Sequence, residues 1–94
     1  MAAPVTVSIP HALRKRTGQQ RHVQVEGKNV REVIDALERA YPGIGFQICH
    51  ETGELRPFVN VFVGDESVRY LEGLDTPVKP GEVVHIMHSV AGGM

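Results

Sequence analysis

Residues 29–43 read Asn29-Val30-Arg31-Glu32-Val33-Ile34-Asp35-Ala36-Leu37-Glu38-Arg39-Ala40-Tyr41-Pro42-Gly43. Val30, Val33, Ile34, Leu37 and Tyr41 recur at three- and four-residue spacing, so a helix gathers them into one apolar stripe. Arg31, Asp35, Glu38 and Arg39 occupy the other side. Asn29 can cap the first turn, and Glu32, three residues on, can bond back to the N–H of the cap. Pro42-Gly43 stops the helix, which is predicted over Val30 to Ala40. A helix with one apolar face must bury it against another element. The stretches on either side supply that element, because their apolar residues recur with period two.

Upstream, Val5-Thr6-Val7-Ser8-Ile9 alternates as a strand does and Pro10 ends it. His22-Val23-Gln24-Val25 alternates again, and the two pair as a hairpin. Residues 11–20 between them form a polar, basic connection with Thr17-Gly18 as the turn signal. Downstream, residues 44–55 carry mixed signals and read as a loop with a short helical turn, Thr52-Gly53 marking a reversal. Phe58-Val59-Asn60-Val61-Phe62-Val63 is the strongest strand. Val59, Val61 and Val63 share the core face, while Phe58, Asn60 and Phe62 point away from it. After a turn at Gly64-Asp65-Glu66, Ser67-Val68-Arg69-Tyr70 is predicted as a short strand. Asp75-Thr76-Pro77 and Lys79-Pro80-Gly81-Glu82 are turn chemistry. Val83 to His88 is the last strand, with Val84 and Ile86 inward and His85 and Met87 outward. The expected fold is an α+β roll, one main helix covering one face of a mixed sheet of four to five strands. Residues 1–94 form one domain, with 89–94 as a flexible C-terminal tail.

Composition narrows the function. The chain has 94 residues, 41% hydrophobic and 22% charged, with net charge −1. This balance describes a globular domain and offers no overall attraction to nucleic acid or an anionic membrane. The single cysteine, Cys49, allows no intramolecular disulfide and fits a reducing compartment. Met1-Ala2-Ala3-Pro4 has neither the charged nor the apolar stretch of a signal peptide, and a cytoplasmic location is expected.

No catalytic centre is legible. His85 and His88 lie three apart on a strand and leave opposite faces, so they cannot share a metal. Cys49 has no local feature that would activate a thiol and is expected to be packed or spare. The carboxylates are scattered, and no glycine-rich phosphate loop lies between a strand and a helix. Arg14-Lys15-Arg16 with Arg21 makes a basic cluster without the interleaved aromatics of a nucleic-acid platform. It reads first as a solvated loop and second as a contact for an acidic partner protein.

The C-terminus carries the one chemical signature: Ser89-Val90-Ala91-Gly92-Gly93-Met94. Together with Tyr41-Pro42-Gly43-Ile44, residues 58–63 and Pro80-Gly81-Glu82-Val83-Val84, this tail resembles the bacterial sulfur carriers of the ThiS and MoaD family. Val7-Ser8-Ile9-Pro10, Leu13-Arg14 and Thr17-Gly18-x-Gln20 make the chain most similar to the carrier that feeds cysteine synthesis. The resemblance covers nearly the whole chain and implies a ubiquitin-like β-grasp roll. Two departures stand out: His88 replaces a proline common in the family, and Met94 follows the Gly-Gly pair at which active carriers end.

The resemblance implies a protein with no catalytic activity and no bound cofactor. A ubiquitin-activating-like adenylyltransferase of the ThiF or MoeB type would use ATP to adenylate the Gly93 carboxylate. A sulfur donor would then leave a thiocarboxylate for an acceptor synthase of the cysteine synthase type, and a JAMM-type metallopeptidase would first remove Met94. Val90, Ala91 and Gly92 form the tail that enters these partners, reaching on the order of 13 Å when extended. Glycine suits the narrow passage because it has no Cβ. Phe62 and Met87, outward on neighbouring strands, with Phe58 extending them, are the expected partner-binding patch. Two other readings share the fold: the small subunit of molybdopterin synthase, and a protein modifier joined through Gly93 to lysines.

Overall fold

The structure, a computed structural model, describes residues 4–88; the tail and the first three residues lie outside the described part. Five strands form one sheet: β1 (Pro4–Ser8), β2 (His22–Glu26), β3 (Val59–Val63), β4 (Glu66–Ser67) and β5 (Val83–His88). Their order is β2-β1-β5-β3-β4. β1 and β2 pair antiparallel as the hairpin predicts, and β3 and β5 pair antiparallel. β1 and β5, first and last in sequence, lie parallel at the centre. That mixed sheet with a helix across one face is the α+β roll expected from the sequence.

Helix α1 (Val30–Ala40) has the bounds that its apolar spacing and caps predict. Val30, Val33, Ile34 and Leu37 are buried, in one core cluster with Val5, Val7, Val59, Val61, Val84 and Ile86. Asn29 Oδ1 accepts the Glu32 N–H at 2.8 Å. The Glu32 carboxylate does not return to the cap N–H; it accepts from Lys28 N at 2.9 Å, one residue further out. There the chain is already extended beside residues 76–78, with Val78 N donating to Lys28 O and Val30 N to Thr76 O.

Three segments depart from the sequence expectation. Residues 11–20 are not merely a polar connection, because His11–Thr17 forms a 3-10 helix. Leu13 and Thr17 are buried among the basic residues. The Thr17 hydroxyl lies 3.2 Å from Arg14 O and 2.9 Å from Gln20 O, closing the segment on itself. In the 44–55 stretch the helical turn is a second helix, α2 (Ile44–Ile48), which buries Ile44 and Ile48. The predicted strand at 67–70 is wrong beyond Ser67, and Val68–Tyr70 is a 3-10 turn. Arg69 sets that turn, donating from Nη2 to Val59 O at 2.7 Å and from Nε to Asn60 Oδ1 at 3.2 Å. Ser67 Oγ donates to the same Asn60 oxygen and accepts the Arg69 N–H.

A five-residue helix is too short to hold itself, since nucleation costs more than one turn returns. Glu38 of α1 supplies the deficit. Its two carboxylate oxygens accept the N–H groups of Gly43 and Gly45, each at 2.8 Å. Gly43 sits at φ 99, a left-handed conformation that favours glycine, and a Cβ there would also displace the end of the Arg16 side chain. The Gly43 bond first, and the Gly45 bond second, hold the Glu38 carboxyl below its ordinary range. A carboxylate with a lowered folded pKa stabilises the fold fully above its unfolded value of about 4.3, and that contribution fades as pH falls through the folded value. Glu38→Gln, with one acceptor oxygen for two donors, is therefore expected to lower the urea midpoint at pH 7. The gap to wild type should narrow below about pH 4; a gap unchanged down to pH 3 would disprove the charged lock.

Candidate functional site

The outer face of the sheet, turned away from α1, collects the alternate residues of each strand. Registers place His22 opposite Ser8, Ser8 opposite His85, and His85 opposite Phe62. Met87 lies opposite Asn60, so Phe62 and Met87 are diagonal neighbours on adjacent strands. Met87 is 52% exposed and Phe62 half-buried, which brings these two of the predicted patch residues together.

Phe58 is not brought onto that face. It precedes β3, packs against the core cluster and meets His88 edge-on, ring centroids 5.0 Å apart. His88 is the register partner of Val59, a core-facing residue, so the pair lies at the inner side of the sheet's end. Parity carried back from β3 misplaces Phe58 because the strand begins one residue later.

Tyr70 is the residue that strand reasoning missed. At 89% exposure it is the most exposed large apolar side chain described. It borders a shallow hollow of about 360 Å³ with Phe62, Asn60, Ser67 and Arg69. The Arg69 and Ser67 bonds to Asn60 hold this rim in place, so the outer face runs from Met87 through Phe62 to Tyr70. An aromatic standing after a turn was the available signal; assigning residue 70 to a strand concealed it.

Cys49 ends α2 and is half-buried; burial pushes its thiol up, opposing thiolate formation at neutral pH. It lines a hollow of about 350 Å³ on the helical side with Ile34, Phe46 and Leu74, away from the outer sheet face. Among the described residues, no three His, Cys, Asp or Glu side chains gather as a metal site. No helix among them is long and apolar enough to cross a membrane. Gly93, Gly92, Ala91, Val90 and Met94 lie outside the described residues. What the fold does show is where their chain begins, after His88 at the end of the central strand β5.

A family model described as the ThiS family matches residues 7–93. The chain belongs to the ThiS family. Among its relatives is the sulfur carrier protein CysO of Mycobacterium tuberculosis, 44% identical over 91 residues, 95% of this chain and 98% of that one. Small archaeal modifier protein 3 of Haloferax volcanii is 36% identical over 64 residues, 68% of either chain. A chain in the crystal structure of the Amycolatopsis orientalis BexX/CysO complex superposes with a TM-score of 0.88 at 44% identity, over 95% of this chain and 99% of that one. The fold is thus the ubiquitin-like β-grasp of the ThiS family. The ThiS match runs through the glycine pair to Gly93, and Met94 lies beyond it.

Proposed function

We propose that this chain is a sulfur carrier of cysteine metabolism, loaded as a thiocarboxylate on Gly93 once Met94 has been removed. The observation that carries the reading is the 44% identity to CysO over 95% of the chain, together with a family match that ends at Gly93. The chemistry of the tail agrees. A free carboxylate is a poor acyl donor, and adenylation by an activating enzyme supplies AMP as a leaving group. Sulfide sulfur then attacks the acyl carbon, AMP departs, and the C–S bond leaves a nucleophilic sulfur on a protein handle. Extended, Val90 to Gly93 spans on the order of 13 Å, enough to bring that sulfur into a partner's pocket while the globular part stays outside. The proposed partners are an adenylyltransferase of the ThiF or MoeB type that consumes ATP, an acceptor synthase of the cysteine synthase type, and a JAMM-type metallopeptidase. The carrier contributes no catalytic residue of its own, and a cytoplasmic setting suits its single free thiol.

Phe62 and Met87, with Tyr70 at their rim, form the surface on which the activating enzyme docks. Removing an anchor near an interface centre commonly costs about 2 kcal/mol or more, roughly 30-fold in binding. Phe62→Ala and Met87→Asp are each expected to raise KM for the activating enzyme by that order with the urea midpoint little changed. Two variants that load at wild-type rates would remove the outer face from the interface.

The 36% identity to a small archaeal modifier protein favours one second reading, an isopeptide bond from Gly93 to a lysine. Both readings require the same activated Gly93. Mass spectrometry of a cell extract separates them: lysines joined through an isopeptide bond to Gly93 mark a modifier, and a Gly93 thiocarboxylate alone marks a carrier.

A further inference from the structure

Charge is distributed unevenly along this chain. Before Glu26 there are four cations, Arg14, Lys15, Arg16 and Arg21, and no carboxylate; from Glu26 on, six cations face eleven carboxylates. The fold gathers the four cations at one end of the sheet. β1 runs parallel to β5 with Ser8 beside His85. Three residues beyond His85, β5 ends at His88; three residues beyond Ser8, the chain enters the His11–Thr17 helix that carries Arg14, Lys15 and Arg16. Arg21 joins the same end, its carbonyl accepting the Ile9 N–H at 2.7 Å. Paired parallel strands lie about 4.8 Å apart, so the basic helix leaves the same end of the sheet at which β5 finishes.

This end is also built, not merely solvated. Leu13 and Thr17 are buried beneath the cations, and Gly18 closes the helix in the left-handed conformation at φ 65 with its N–H on Arg14 O. Arg14 Nε donates to Ile9 O at 3.1 Å, and Arg16 lies against Gly43 near Glu38. Lys15 and Arg21 are exposed and make no side-chain hydrogen bond or ion pair with any described residue.

We infer that this basic collar is a second docking element, which fits an acidic rim around the opening through which the activating enzyme admits the tail. The inference rests on the carrier reading and adds the electrostatic character of the partner. A protein surface is favoured over nucleic acid on two grounds. The remainder of the chain carries net charge −5, which repels a polyanion, and the helix offers no Phe, Tyr or Trp for base stacking. The collar steers the tail: clustered charge raises association rates about 10-fold to 1000-fold, an advantage that salt removes.

The test uses the chain ending at Gly93, the activating enzyme and ATP, with pyrophosphate release followed at low and high salt. Lys15→Glu/Arg21→Glu is expected to lower kcat/KM about 10-fold or more near 20 mM salt, with the gap closing near 500 mM. The milder pair Lys15→Gln/Arg21→Gln should lose less in the same direction and guards against a folding defect. Changing acidic residues at the enzyme's tail opening to lysine should restore the charge-reversed carrier. A wild type that loads normally beside equally competent double variants overturns the inference and leaves the carrier reading standing. A wild type that never loads overturns both. Binding of single-stranded RNA at about 150 mM salt, lost in the double variants, would reassign the collar to nucleic acid.

Discussion

Incubated with the activating enzyme, ATP and sulfide, the chain ending at Gly93 is expected to gain about 16 mass units, the difference between sulfur and oxygen, and the 94-residue chain to gain nothing. Adenylation needs a free carboxylate at Gly93. In this chain that carbon is bound to nitrogen as the amide of Met94, which neither attacks ATP nor presents a terminal oxygen to the activating site. The contrast should be close to all-or-none, because no tuning of affinity substitutes for the missing carboxylate. Pre-treatment of the 94-residue chain with a JAMM-type metallopeptidase should restore loading, and a chelator added before the peptidase should prevent that. A nonspecific carboxypeptidase is the rival, distinguished by its failure to stop at Gly93. A thiocarboxylate formed with Met94 still attached would show that Gly93 is not the loaded residue.

Leu37→Ala is expected to cost about 2–5 kcal/mol in urea unfolding. Leu37 is fully buried in the core cluster, at the middle of the α1 stripe that packs over the inner face of the sheet. Truncation removes apolar contact and leaves a cavity that a short helix between two fixed connections cannot collapse to fill. In a 94-residue domain this is a large fraction of total stability. A loss under about 1 kcal/mol would mean that Leu37 does not carry the contact assigned to it.

The two experiments probe features that are both legible in the sequence. Met94 and the glycine pair are chemical statements complete in the sequence, because an amide is an amide in any conformation. The α1 stripe was legible for a related reason: its signal is local, eleven residues of apolar periodicity between an Asn cap and a Pro-Gly stop. The core alternation of β3 and β5 was local too, and it put Val59, Val61, Val84 and Ile86 inside and Phe62 and Met87 outside. Where the sequence misled, the deciding interaction came from elsewhere in the chain. Glu38 caps α2 from the preceding helix, and the common core that takes in Leu13 turns a basic stretch into an ordered 3-10 helix.

The site divides in the same way. Gly92-Gly93 and the pairing of Phe62 with Met87 could be read from residue order and strand parity alone. Tyr70 could not, since its exposure follows from an Arg69 side chain that reaches back to the Val59 carbonyl and ends the strand at Ser67. Phe58 could not either, because where β3 begins depends on its register with β5. The placing of the basic collar at the end of the sheet where β5 finishes is the clearest case. Arg14 and His88 are far apart in sequence, and only the parallel pairing of the first strand with the last brings them to one end. Local chemistry and short-range periodicity are properties of neighbouring residues and so are written in their order. Strand register, a cap supplied from a distance and the gathering of charge at one end of the sheet are free-energy minima over the whole chain, and they exist only once it has closed on itself.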